Sequence, residues 1–208
     1  MSDRLILNEA DHTATLDGRA VPRVTSILVA AGYGPPPIAP ADLQYYGERG
    51  RFVHKALTLD DEGRLNETSL DVQLAPYVAA WRRFRREYAV RGFSLIEEPV
   101  FHEDPDFAGR LDCVTDDGRL VEITTTAAPS KAKHLQAIAY WGALRQRQPD
   151  LKIERILILS LRPHGYGYAV RRIPASEWLL LWNEWLQLVR RFGEPRKGQS
   201  DGNDGSNS

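Results

Sequence analysis

The sequence predicts an α/β (α+β) fold, a mixed β-sheet core flanked by helices. Three observations predict it. Helical periodicity dominates the first 91 residues. From residue 93 the order becomes strand, hairpin, helix, two strands and helix. A helix between the hairpin and the next strand is a crossover, which lets residues 152–161 lie parallel to a hairpin strand.

Each element has its own signal. Residues 1–20 carry two short apolar patches around "NEADHTA", either an edge hairpin or loose chain. Val24, Ile27, Leu28 and Ala31 recur at helical spacing, with Thr25 as N-cap, and Gly32, Gly34 and three prolines end that helix. "ADLQYYGERGRFVHKALTLDDEG" is a second helix; its Gly47 and Gly50 suggest close packing or a break. Residues 71–91 form a long helix whose regular part starts at Pro76, with a stripe of Tyr77, Ala80, Trp81, Phe84 and Tyr88 and a stop at Gly92. "FSLIEEPVFHE" is a strand, broken by "DPD", and residues 107–125 are a hairpin. Ser130 caps a helix running to about Arg147. Residues 152–161 are a buried strand and "GYGYAVRRIP" its hairpin neighbour, with Tyr166, Tyr168 and Val170 alternating. Ser176 caps the last helix, which ends at Gly193 and is apolar around much of its girth. These elements make one domain over 1–194, with a helical embellishment at about 22–91. Residues 195–208 are polar and glycine-rich, too poor for a core, and are expected to be disordered.

Composition narrows the function. The 27 basic and 28 acidic residues leave a formal charge of -1, so a nucleic-acid partner would need a local basic surface. The single cysteine, Cys113, excludes an internal disulfide and a four-cysteine metal site. No apolar run has signal-peptide character or approaches the roughly 20 residues of a membrane span. The expectation is a soluble intracellular protein with no membrane partner.

The stretch "GRLDCVTDDGRLVEITTT" carries the chemistry. A two-residue loop, Asp117-Gly118, would set Asp112 opposite Ile123 and turn Glu122 away. A three-residue loop, 116–118, pairs Thr115 with Arg119 and Asp112 with Glu122, and Gly118 suits the left-handed position such a loop needs. The two carboxylates then stand roughly 5 Å apart at Cβ. That suits a hard divalent cation, which takes oxygen ligands and promotes phosphodiester hydrolysis. The plain alternative is an exposed hairpin face. Val121 and Ile123 face the other side, toward helices. On the next helix Lys133, Gln136 and Tyr140 share one face at spacings of three and four. His134 is off that face, and His164 falls in a turn; neither is a ligand candidate.

At this point the chain resembles the PD-(D/E)xK nucleases, in their RecB-like and phage-exonuclease branch. His54 in "GERGRFVHKAL" resembles an early helical motif, Gly109-Arg-Leu-Asp112 a GxxD motif, and Gln136-Ala-Ile-Ala-Tyr140 a QxxxY motif. Glu122-Ile-Thr124 stands where (D/E)xK belongs. The resemblance covers residues 47–140 and implies a restriction-endonuclease-like sheet. It implies that Asp112, Glu122, the Ile123 carbonyl and His54 hold Mg2+ or Mn2+. By the same resemblance Glu98 would orient water or join the metal, and Gln136 and Tyr140 would position DNA or neighbouring groups. Asp106, beside Pro105, is a decoy. The implied activity is a DNA nuclease, an exonuclease of recombination or repair, in the cytoplasm of a bacterial or phage-infected cell.

Thr124 departs from the pattern, because the family places a lysine there. A threonine hydroxyl supplies no positive charge. Three explanations stand open: Lys133 is a migrated lysine, reaching the site from the helix better than Lys131; the chain binds DNA or metal without cutting; or Thr124 was introduced to disable the enzyme. The alternative function is thus a weak or inactive nuclease-like binding or assembly protein.

For the DNA surface, Arg82, Arg83, Arg85, Arg86 and Arg91 stand against one glutamate, Glu87, on the long helix. Arg82, Arg83 and Arg86 are the candidate phosphate contacts there, with Arg51 and Lys55 beside His54. Arg171, Arg172, Arg190 and Arg191 are weaker candidates. Trp178, Trp182 and Trp185 are core residues or an interface for a homo-oligomer or protein partner.

Overall fold

The computed structural model describes residues 4–8, 12–34, 39–126, 130–163 and 167–193. His164, Tyr166, the prolines 35–37 and the 195–208 tail lie outside the described residues.

The architecture is a central mixed sheet flanked by helices, restriction-endonuclease-like as expected. The elements are β1 (Leu5–Asn8), β2 (Thr13–Leu16), β3 (Arg19–Ala20), α1 (Val24–Leu28), α2 (Pro40–Asp61), α3 (Ala75–Glu87), β4 (Phe93–Ile96), β5 (Pro99–Glu103) and β6 (Asp106–Arg110). They continue with β7 (Cys113–Thr115), β8 (Arg119–Thr124), α4 (Lys131–Arg147), β9 (Arg155–Arg162), β10 (Gly167–Ile173) and α5 (Ala175–Gly193). The central sheet runs β10-β9-β8-β7-β4. Among the described strands of this sheet only β8 and β9 pair in parallel; α4 connects them, so the predicted crossover is present.

Strand alternation sends two sets of side chains to two cores. Leu120, Ile156 and Ile158 pack under α4, α5 and α1, with Leu135, Ile138 and Trp185. Val121, Ile123, Leu157 and Leu159 pack under α3 and the C-terminal half of α2, with Val53, Trp81 and Phe84. The predicted orientation of Val121 and Ile123 toward helices holds.

Several boundaries differ from the sequence reading. "FSLIEEPVFHE" is two strands. Glu97 takes a positive φ of 48° and turns the chain, so β4 joins the central sheet while β5 pairs with β6 in a separate ribbon. The predicted hairpin of 107–125 is accordingly shorter, with β7 and β8 its arms. The first patches form a three-stranded sheet, β1-β2-β3, whose Ala14 and Leu16 pack on Phe101 and Ala108. Thr25 is not a cap, because α1 starts at Val24 after Arg23, and Ala31 lies in a π-helical turn, Val29–Tyr33. Helix α3 stops at Glu87, with Ala89 rather than Gly92 in the left-handed region. Helix α5 begins at Ala175, one residue before the predicted cap Ser176.

Gly47 and Gly50 neither break α2 nor pack closely: a Cβ on either would meet no atom within 4 Å. Both border an open cleft.

Candidate metal centre

The β7–β8 turn decides the site. Cys113 pairs with Val121 and Val114 with Leu120, which leaves 116–118 as the loop; Gly118 has φ 77° and its N–H donates to the Thr115 carbonyl at 2.9 Å. This is the three-residue register, the one that brings Asp112 and Glu122 to one side.

Asp112 leaves the strand just before β7. Its Oδ2 accepts from the Ile123 N–H at 2.5 Å, and its Oδ1 lies 3.2 Å from His54 Nδ1. His54 comes from the middle of α2, and its Nδ1 also lies 3.3 Å from Glu97 Oε1. One ligand atom from each of His54, Glu97 and Asp112 falls within 4.8 Å of the other two, a cluster able to hold a divalent metal. The acid after β4 that joins this cluster is Glu97; Glu98, the acid the sequence singled out, is not in it. The turn at Glu97 hands its N–H to the Asp112 carbonyl at 2.8 Å, while Glu98 uses its carbonyl to accept from Leu111. The sequence signal was the Glu97-Glu98 doublet. What it lacked was the positive-φ turn that selects one of the two.

Glu122 stands outside that trio. It is buried, and Lys133 Nζ donates to its Oε1 at 2.7 Å and lies 3.4 Å from the Ile123 carbonyl oxygen. Its other oxygen, Oε2, is buried without a hydrogen-bond partner among the described residues. Thr124 is buried and turned to local work: its Oγ1 lies 2.9 Å from Thr126 Oγ1 and accepts from the Thr126 N–H at 3.2 Å. The amine that meets Glu122 therefore comes from α4.

The fields follow from burial and charge. Burial opposes the His54 imidazolium, but Asp112 and then Glu97 outweigh it and raise the group to about 10. Burial likewise pushes Asp112 up, yet His54, Lys133 and the Ile123 N–H hold it below the usual carboxylate range. Burial first, then the charge of Asp112, pushes Glu122 up. Burial opposes the Lys133 ammonium, and Glu122 and Asp112 more than restore it. An acidic pocket that gathers two cationic side chains and leaves a carboxylate oxygen unpartnered is short of positive charge. Carboxylates with one imidazole suit a hard divalent cation.

Tyr140 is buried, and Gln136 Nε2 donates to its hydroxyl at 3.1 Å. A Cβ on Gly109 would lie 2.6 Å from the Tyr140 ring, so Gly109 makes room for Tyr140. His134 bonds the Ser130 carbonyl and takes no part.

A cleft of about 780 Å³ opens over these groups, lined among others by Gly50, Arg51, His54, Lys55, Lys133 and Gln136. Arg51 and Lys55 line this cleft beside His54. The arginines of α3 have other partners. Arg82 binds Asp60 and Glu67, and Arg83 binds Glu87 at 2.7 Å; neither these two nor Arg86 lines the cleft. Asp60 at the end of α2, Glu67 beyond it and Glu87 one helical turn along α3 account for those charges. Asp106 pairs with Arg19 and is not part of the His54–Glu97–Asp112 cluster. Trp185 is buried in the core and Trp178 and Trp182 pack against it, whereas Leu179 and Leu180 on the same helix are exposed. No described helix is long and apolar enough to cross a membrane.

A nuclease-like architecture thus carries a His–Glu–Asp cluster suited to a divalent metal. The chain is 24% identical over 164 residues to mitochondrial genome maintenance exonuclease 1 from Homo sapiens, an overlap of 73% of this chain and 47% of that protein. The chain spans about half the length of that curated relative. A structure solved as a candidate exonuclease from Eubacterium rectale aligns with 82% of this chain and 75% of its own, at TM-score 0.47 and 11% identity. No family model matches the sequence.

Proposed function

We propose that this protein is a metal-dependent DNA nuclease of the PD-(D/E)xK type, acting at DNA ends in recombination or repair, in which Lys133 does the work of the lysine missing at position 124. One observation carries the reading: Lys133 Nζ sits 2.7 Å from Glu122 Oε1 and within 3.4 Å of the Ile123 carbonyl, beside the His54–Glu97–Asp112 cluster. The similarity to an exonuclease supports it.

His54, Glu97 and Asp112 would hold Mg2+ or Mn2+, with Glu122 and the Ile123 carbonyl adjacent. A bound cation of this kind polarises a phosphodiester and makes water a better nucleophile near neutral pH. The chain's own residues do the rest. The Ile123 N–H fixes Asp112 Oδ2. Lys133 holds Glu122 Oε1 and presents a fixed positive charge where negative charge grows on the scissile phosphate. Gln136, held by Tyr140, offers its amide to the cleft. Arg51 and Lys55 hold backbone phosphates without reading sequence.

Cleavage of end-labelled linear and closed circular DNA with Mg2+, Mn2+ or EDTA tests this, with Glu122→Gln protein as the contamination control. The expected result is loss of linear DNA that needs metal and disappears in the variant. A folded protein that binds DNA and metal yet cuts neither substrate would leave a nuclease-like binding protein.

A further inference from the structure

A second basic cavity lies on the other face of the sheet. It has a volume of about 280 Å³ and is lined by Tyr88, Arg119, Arg155, Leu157, Val170 and Arg172. Strand register builds it. Arg119 on β8 pairs with Arg155 on β9, and Arg172 on β10 pairs with Leu157, two residues along β9 and so on the same face. Three adjacent strands therefore set three guanidiniums around one opening, and among the described residues no acid lines it. Glu122, three residues beyond Arg119 on β8, points to the opposite face, so this cavity is separate from the metal centre.

Like charges on neighbouring strands are unfavourable unless something compensates them. The protein compensates one in part. Arg119 is 8% exposed; it donates to the Tyr88 carbonyl at 2.7 Å and pairs with Asp117. Its Nε is buried with no partner among the described residues. Arg155 and Arg172 are exposed and meet no carboxylate among those residues. Glu87, next to Tyr88 in the chain, is held by Arg83 and Tyr168.

We propose that Arg119, Arg155 and Arg172 form a phosphate-binding site on the sheet face opposite Glu122. A tetrahedral oxyanion accepts several charge-assisted bonds at once, and planar guanidinium forks match it in pairs. A cavity of this size admits one phosphate group, whether inorganic phosphate or a single backbone phosphodiester. The phosphate is either free or part of a polynucleotide backbone.

The test is calorimetric titration of the full chain, in EDTA, with inorganic phosphate and separately with a short single-stranded oligodeoxynucleotide. The wild type is compared with Arg155→Gln/Arg172→Gln, both exposed positions, and with Arg171→Gln, which β10 turns to the other face. About a tenfold loss of affinity per arginine removed is expected for whichever ligand uses the site, with Arg171→Gln unchanged. Loss for phosphate identifies a free-phosphate site. Loss for the oligonucleotide alone, with a shallower salt dependence, identifies a backbone contact. Affinities equal in all three proteins, or an equal loss in Arg171→Gln, would overturn the proposal without touching the nuclease reading.

Discussion

Lys133 Nζ donates to Glu122 Oε1 at 2.7 Å, joining α4 to β8 through a carboxylate that is 1% exposed. A buried carboxylate that loses its cation must stay charged without a partner or take up a proton. Lys133→Met should therefore destabilise the metal-free protein by about 1–3 kcal/mol. Urea unfolding in EDTA measures it. Lys131→Met, which breaks only the more exposed pair with Glu184, should cost less.

The choice between adjacent acids is testable by metal binding. Glu97 joins His54 and Asp112, whereas Glu98 contributes a backbone carbonyl. Titration with Mn2+ should show Glu97→Gln weakening affinity about tenfold or more, and Glu98→Gln leaving it within about twofold.

Gly109 has a steric task. A Cβ would meet Tyr140 Cε1 at 2.6 Å and its hydroxyl at 3.1 Å, and the ring is buried and unable to swing clear. Gly109→Ala should cost about 1–3 kcal/mol through overpacking. It should also disturb the Gln136–Tyr140 bond. Thermal melting reports the first effect and the rate of DNA cleavage the second.

The two proposed basic surfaces separate by salt dependence. Arg51→Gln and Lys55→Gln border the cleft and should each lower the slope of log affinity for DNA against log salt by about 1. Arg82→Gln and Arg83→Gln should leave that slope unchanged. Those arginines already serve Asp60, Glu67 and Glu87.

The sequence made the central part of this site legible because local rules act there. Gly118 and loop length set the hairpin register, and that register aligns Asp112 with Glu122. Helical spacing put Lys133, Gln136 and Tyr140 on one face. The parallel β8–β9 pair followed from the crossover helix. Glu97 was missed because a left-handed non-glycine residue has no composition signal; the surrounding contacts impose it. The partners of Arg82 were hidden because a charge run on one helix does not disclose Asp60 at the end of α2 or Glu67 beyond it, whereas the Arg83–Glu87 pair lies within α3 itself. The arginine cavity combines residues from three strands whose register appears only in the assembled sheet.

The most direct test of the account exchanges the lysine. Metal-dependent cleavage of end-labelled linear DNA would be timed for the wild type, Lys133→Met and Lys133→Met/Thr124→Lys. The account predicts a fall on the order of 10²-fold for Lys133→Met and substantial recovery in the double variant, where the charge returns from β8. Cleavage by Lys133→Met at the wild-type rate would contradict it.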